Sequence, residues 1–490
     1  MTSATHTGRL QLSWICIWSV AISSLVIGNI RAATAADELK KAALATAKQA
    51  TAFLTDRVST EGGYLWRYSS DLTLKEGEGV VTTQTVWVQP PGTPSVGEAF
   101  VHLYEATDDT QFLDAARAVG EALRRGQMRS GGWQAMIEFE PDLRAKWAYR
   151  TNSTLSPRAK DQSTLDDDKT QSAIRFVIQL DRALQFKDAQ VHEMAIYSLD
   201  GLLQNGQLPN GGFPQVWTDK KIGHDEDSGL RASFPETWSR EYHGHGEYWY
   251  RYTLNDNLAP DVLDTLFLAA EVYGDSRYSD AALTLADFLL LAQLPEPQPA
   301  WAQQYSFDMQ PIWARKFEPP AVTGGESQGV IETLFAAYRY TGDKKYLAPI
   351  PRAIEYLEKS KLPDGRLARF YELRTNRPLY FTKDYQLTYD DSDIPAHYSF
   401  KTVSRLDRLR QEYNTLVQPD ALKRVPVRSR RFASDLSPDQ KQIQTIISST
   451  DDRGAWVTNS GLRYHKAKGE VIDMRVAVAN LRALAQFLSQ

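Results

Sequence analysis

Three consecutive carboxylates, Asp166-Asp167-Asp168, sit in the stretch Thr164–Thr170, just before a run with helical periodicity through Ile174-Arg175-Phe176. Capping and the helix dipole explain one Asp at a helix start. Three in a row repel one another, and a hard cation such as Ca²⁺ takes several oxygen ligands, so the junction is a candidate cation site. Tyr252-Thr253-Leu254-Asn255-Asp256 is a second such junction, directly before the periodic run at Ala259; N-capping is the bland alternative for both. Cationic side chains supply the other half. Trp313-Ala314-Arg315-Lys316-Phe317-Glu318-Pro319-Pro320 leads into Gly324-Gly325-Glu326-Ser327, and Ala368-Arg369-Phe370-Tyr371-Glu372 leads into Thr375-Asn376-Arg377-Pro378 and then Lys383-Asp384. Arg forks bind carboxylates in a bidentate manner. Carboxylates for a cation set beside Arg and Lys suit an acidic sugar, although each Arg taken singly is more simply a surface ion pair.

The elements that must position these residues are helical. Apolar residues recur every three to four positions in Asp37–Val58, Ser95–Tyr104, Thr110–Met128, Thr170–Phe186, Ala189–Asn205, Ala259–Tyr273, Ser279–Leu291, Glu326–Tyr340, Lys345–Lys361 and Val471–Leu488. Strand-like alternation is scarce. Helix ends with tight turns recur at Leu103–Phe112, Val272–Tyr278 and Tyr340–Leu347. Glycine-aromatic segments recur after helices at Gly62–Trp66, Gly131–Gln134 and Gly211–Gln215. A repeated hairpin followed by an aromatic loop predicts a ring of helical hairpins with those loops at one mouth, a natural groove for a polymer. The long stretches Asp142–Asp166, Trp217–Asn255 and Leu362–Phe400 are rich in Tyr, Asp, His, Arg and Gly, and loops of that length are usually functional.

The 490 residues, 42% apolar and 11% aromatic, are enough for a large core. Twelve Trp and 23 Tyr also suit carbohydrate stacking, although large aromatics are mostly core. A net charge of −5 gives no support for a nucleic-acid partner. Arg9, the apolar run Leu10–Ile27 and Ala33-Thr34-Ala35 read as a secretory signal over residues 1–35, with a retained anchor as the alternative. The sole cysteine, Cys16, falls inside it, so a mature chain from about Ala36 has no thiol chemistry and no disulfide. Residues 36–410 are expected to form the toroid. Residues 411–490 hold an Arg-rich connector (Arg424, Arg428, Arg430 and Arg431) and a terminal helix packed on the toroid.

From about Ser163 to Asp390 these pieces resemble, in order, the pectate lyases of polysaccharide lyase family 10. Ser163–Phe176 is similar to the family's Asp-rich helix opening, and Asn210-Gly211-Gly212-Phe213-Pro214-Gln215 to its Asn-Gly-Gly-Trp-Pro-Gln loop, with Phe for Trp. Leu254-Asn255-Asp256 is similar to its Phe-Asn-Asp turn. Trp301-Ala302-Gln303-Gln304, Ala314-Arg315 to Glu318 and Gly325-Glu326-Ser327 follow. Ala368–Pro378 is nearly the family's Ala-Arg-Phe-Tyr-Glu-Ile-Gly-Thr-Asn-Arg-Pro string, which no helix or cap rule calls for.

The resemblance implies an all-α fold, an (α/α) toroid. It implies an exported, monomeric enzyme that cleaves polygalacturonate or a related acidic polysaccharide by β-elimination, with Ca²⁺ as cofactor, alkaline activity, and no membrane contact after signal cleavage. It places Asp166 and Asp256 at Ca²⁺-associated carboxylates, Arg315 at the catalytic base, and Arg369, Arg377 and Gln215 among substrate-binding residues. Lys383 stands where a second substrate Arg is expected, keeping the charge but losing the fork. Asp167 replaces a usual Asn and Lys169 a small residue, which alters the cation site. Two other classes stay open: an inverting glycosidase on the same toroid, with carboxylates about 6.5–9.5 Å apart, and a non-catalytic polysaccharide-binding protein.

Overall fold

The computed structural model describes residues 36–81, 84–223, 229–419, 422 and 438–490. The stretch expected as a signal segment, with Cys16, and Arg424, Arg428, Arg430 and Arg431 of the expected connector lie outside the described residues. Helix α1 spans 36–53. It is followed by α2 (Thr93–Thr107), α3 (Thr110–Gly126), the single turn α4 (Pro141–Arg144), α5 (Lys169–Ala183) and α6 (Ala189–Gly201). Then come α7 (Leu258–Tyr273), α8 (Ser276–Leu291), α9 (Gly324–Thr341), α10 (Ile350–Lys359), α11 (Leu406–Leu416), α12 (Gln440–Ser448) and α13 (Met474–Leu488). No helix among the described residues is long and apolar enough to cross a membrane.

The helices form an (α/α) toroid of hairpins. An inner row runs α13, α2, α5, α7, α9, each packed on the next, with α12, α3, α6, α8 and α10 outside them. One apolar core runs continuously from Ala43 to Phe487. The expected hairpin turns have a common construction. Asp108, Gly274 and Gly342 close the first helix in the left-handed region, and the next Asp caps the second helix: Asp109, Asp275 and Asp343 accept from the amides of Gln111, Arg277 and Lys345.

The loops between hairpins meet at one end, beside the N-termini of the inner helices. A chain of backbone hydrogen bonds ties them together. Met474 donates to Trp66, Trp87 to Tyr64, Val88 to Ala135, Thr164 to Trp133, Leu165 to Gln215, Thr253 to Phe213, Leu254 to Gln303 and Thr323 to Trp301, at 2.8–3.0 Å. This hoop is built from strands of two to four residues, too short to show as alternation. Leu362–Phe400, expected as a loop, instead contributes most of a four-stranded antiparallel sheet. Its strands Phe370–Glu372, Pro378–Phe381 and Leu387–Thr388 join Ala321–Thr323 over a second apolar cluster of Phe317, Phe370, Leu379, Phe381 and Phe400.

The aromatic rings of these loops do not line the mouth. Trp133, Phe213 and Trp301 are essentially fully buried. The indole N–H of Trp133 donates to Leu123 O, that of Trp301 to Leu289 O and that of Trp456 to Ile446 O, at 2.8–2.9 Å. Each ring is therefore a wedge at the end of the preceding outer helix, and the glycines admit it. A Cβ on Gly211 (φ +92°) would lie 2.6 Å from Thr284 O. Removing such a wedge leaves a cavity and an orphaned carbonyl, so Trp301→Ala is expected to cost about 3–5 kcal/mol. A urea midpoint within error of wild type would contradict this.

Candidate functional site

Two opening turns are copies of each other. Thr164-Leu165-Asp166-Asp167-Asp168 precedes α5, and Thr253-Leu254-Asn255-Asp256-Asn257 precedes α7. Each is a strand residue followed by a 3₁₀ turn whose last two residues are left-handed: Asp167 (φ +47°) and Asp168 (+63°), Asp256 (+53°) and Asn257 (+58°). Asp and Asn tolerate this region better than most residues. The turns pack against each other. Asp166, Asp167 and Asp256 thus gather, with one carboxylate oxygen from each lying within 4.8 Å of the others. Asp256, expected beside Asp166, is by position the counterpart of Asp167. Asp168 takes no part. Nη2 of buried Arg175 on α5 donates to both of the Asp168 carboxylate oxygens, at 2.6 and 2.8 Å.

The trio is held by fixed donors. Gln215 Nε2 donates to Asp166 Oδ1 (2.7 Å), Gln89 Nε2 to Asp167 Oδ2 (3.0 Å) and Asn255 Nδ2 to Asp256 Oδ2 (2.6 Å). Lys169, on the first turn of α5 and 4% exposed, puts Nζ 2.5 Å from Asp166 Oδ2 and 3.7 Å from Asp167 Oδ2. Burial, then Asp167 and Asp166, pushes the Asp256 carboxyl up to about 8. Burial and Asp166 likewise raise Asp167. Crowded carboxylates that resist ionisation call for a cation, and the donor set is all oxygen. The buried side-chain oxygens Oε1 of Gln89 and Gln215 have no hydrogen-bond partner. These residues fit a hard divalent cation.

The expected cationic side chains divide into two groups. Arg369 borders the trio: it donates to Asn255 Oδ1 (2.9 Å) and to Glu326 Oε1 at the start of α9 (3.0 Å), and its guanidinium lies 4.4 Å from the Tyr398 ring centre. It lines a hollow of about 210 Å³ with Asp256, Asn257, Glu326 and Arg405. Arg315 is close enough to the trio to influence the ionisation of Asp167. It is seated in the turn Ala314–Glu318, where its Nε and Nη2 meet the two carboxylate oxygens of buried Glu318 at 2.7 and 2.5 Å. Tyr398 also donates to Glu318 (2.8 Å). Burial opposes the Arg315 charge, and Glu318 more than offsets it, so the guanidinium holds its proton more firmly than usual.

Two expected substrate residues are engaged elsewhere. Lys383 is exposed and pairs with Asp393 at 2.8 Å, and Arg377 stacks on Tyr389 at 3.3 Å. Glu326 and Tyr398 were not anticipated at the site, whereas Glu318 realises the ion pair that is the simpler reading of Arg315. For Glu318 the signal was its spacing, three residues after Arg315.

Comparison with curated proteins gives no match. Among solved structures, the family 10 polysaccharide lyase from Cellvibrio cellulosa shares 17% identity, with 66% of this chain and 97% of that one covered and a TM-score of 0.44. A mutant of that enzyme in complex with trigalaturonic acid matches at the same identity and score, over 66% of this chain and 99% of its own. Cellobiose 2-epimerase from Bacillus thermoamylovorans follows at 14% identity over 89% of this chain and 95% of its own, with a TM-score of 0.44. Residues 127–337, which hold both opening turns and Arg315, match the pectic acid lyase family, and this bears out the resemblance carried by the sequence motifs.

Proposed function

We propose that this protein is an exported pectate lyase that cleaves α-1,4-polygalacturonate by β-elimination. The observation that carries the reading is the cluster of Asp166, Asp167 and Asp256 with Arg369 against it and Arg315 within electrostatic reach, in one mouth. The loops tied together at this mouth lead into the N-termini of α13, α2, α5, α7 and α9, a field that favours an anionic polymer. In the reaction the C5 proton of a galacturonate leaves, its C–H electrons form the C4–C5 double bond, and the C4–O bond breaks with its electrons on the departing oxygen, which is then protonated. A Ca²⁺ held by Asp166, Asp167 and Asp256 would neutralise the uronate carboxylate and make the C5 proton more acidic. Arg369 orients a uronate carboxylate through its fork. Arg315 takes the C5 proton at a guanidinium nitrogen. For this it must leave Glu318, which holds it protonated in the free chain, so activity belongs at alkaline pH.

Purified protein on polygalacturonate at alkaline pH, with Ca²⁺ or with EDTA, tests the proposal. The expected outcome is an ultraviolet-absorbing unsaturated product that EDTA abolishes. New reducing ends without that absorbance would mean hydrolysis, and binding without product would mean a non-catalytic protein. Either result rejects the proposal.

A further inference from the structure

Lys169 is the one feature of the site that a cation-binding role does not explain. Its ammonium is buried and lies among the carboxylates that fit a divalent cation, with Asp166 and Asp167 as its ion-pair partners. Asp166 Oδ2 cannot hold this ammonium at 2.5 Å and also face a metal ion without bringing like charges together in a half-buried setting. The lysine is fixed in place. It is the first residue of α5, its own carbonyl accepts from Ser172 Oγ at 3.0 Å, and its stem is buried. We infer that the Lys169 ammonium is a tethered cation of the acidic trio, which a divalent cation must displace, so that Lys169 sets the divalent-cation affinity of this site. The inference rests on the cation reading above and adds a competitor to it. It makes the chain one that responds to high rather than trace divalent-cation levels.

The test is isothermal titration of CaCl₂ into the purified protein, wild type against Lys169→Met and Lys169→Gln. Met keeps the stem volume. Gln keeps a donor for Asp166 and guards against a variant that fails to fold without its counter-ion. Removing one charge beside a dication should tighten Ca²⁺ binding about tenfold or more in both variants. Their melting temperatures should also rise more on adding Ca²⁺ than that of wild type, because the metal-free trio has lost its counter-ion. Variants that bind Ca²⁺ no tighter than wild type, while Asp256→Asn abolishes binding, would overturn the inference and leave the cation site standing. Absence of binding in wild type and both variants would remove the cation site itself, and the inference with it.

Discussion

Arg315→Ala is expected to lower the rate of elimination by about 10²–10⁴-fold, the usual worth of a positioned base, while polygalacturonate binding persists through Arg369. Arg315→Lys should fail as well, because a point charge cannot reproduce a fork seated on Glu318. The pair with Glu318 gives a sharper test, because it separates a base from a clamp. Glu318 stabilises the protonated guanidinium. Glu318→Gln removes that stabilisation, so the neutral form becomes accessible at lower pH. If Arg315 is the base, the rising alkaline limb of the pH–rate profile moves to lower pH in this variant. A clamp would lose rate with no movement of the limb. Steady-state rates near wild type for Arg315→Ala would reduce the pair to a structural ion contact, whose loss strands the buried Glu318 carboxylate and costs stability rather than rate.

Asp256→Asn is expected to cost at least about 100-fold in turnover, since the loss of groups that merely support metal ligands already costs about 10–100-fold. The same change should stabilise the metal-free protein at high pH. The Asp256 carboxyl is pushed up to about 8 in the folded chain, against roughly 3.9 when unfolded. Between these values the folded chain holds a proton that the unfolded chain has released, so stability falls as pH rises through this window. An asparagine does not ionise and escapes the loss. With chelator present, the variant should match wild type near pH 4 and exceed it at pH 9 by on the order of 5 kcal/mol. Urea midpoints at the two pH values measure this, and a variant less stable than wild type at pH 9 would show that the carboxylate is not strained by its neighbours.

The hairpins were legible because helical period and Asp caps are local signals, and all ten of the expected helical runs begin within three residues of an observed helix or turn. Leu406–Leu416 and Gln440–Ser448 escaped notice because they are short and flank the connector. The acidic trio was legible in part. Asp166 and Asp256 stand out as helix openings, but the equivalence of Asp167 with Asp256 appears only when the two turns are superposed as copies. The loops of Trp133 and Phe213 were expected at one mouth, but composition does not say whether a given ring faces a sugar or wedges a helix pair, and both rings are core. Lys383 and Arg377 carry charges that suit a uronate, yet each had a nearer partner on its own hairpin, Asp393 or Tyr389. Such short-range choices depend on side-chain direction, which motif order does not record.

The duplicated opening turns bear on how such a cluster can originate. An acid at the second position of one turn gives a lone hairpin nothing but a charge. Copying that hairpin in tandem sets two acids face to face at the seam, as Asp167 and Asp256 are here. Two carboxylates of a chelating group thus arrive with a single genetic event and no new substitution. The two turns differ in charge, with Asn255 and Asn257 standing where the other has Asp166 and Asp168. The ring also packs α2 on α5 and α7 on α9, but α2 and α9 open without this turn, from Gly92 and from an extended Thr323. Grafting the Leu-Asn-Asp-Asn turn onto the start of α9 would offer an engineer a second chelating position one hairpin along.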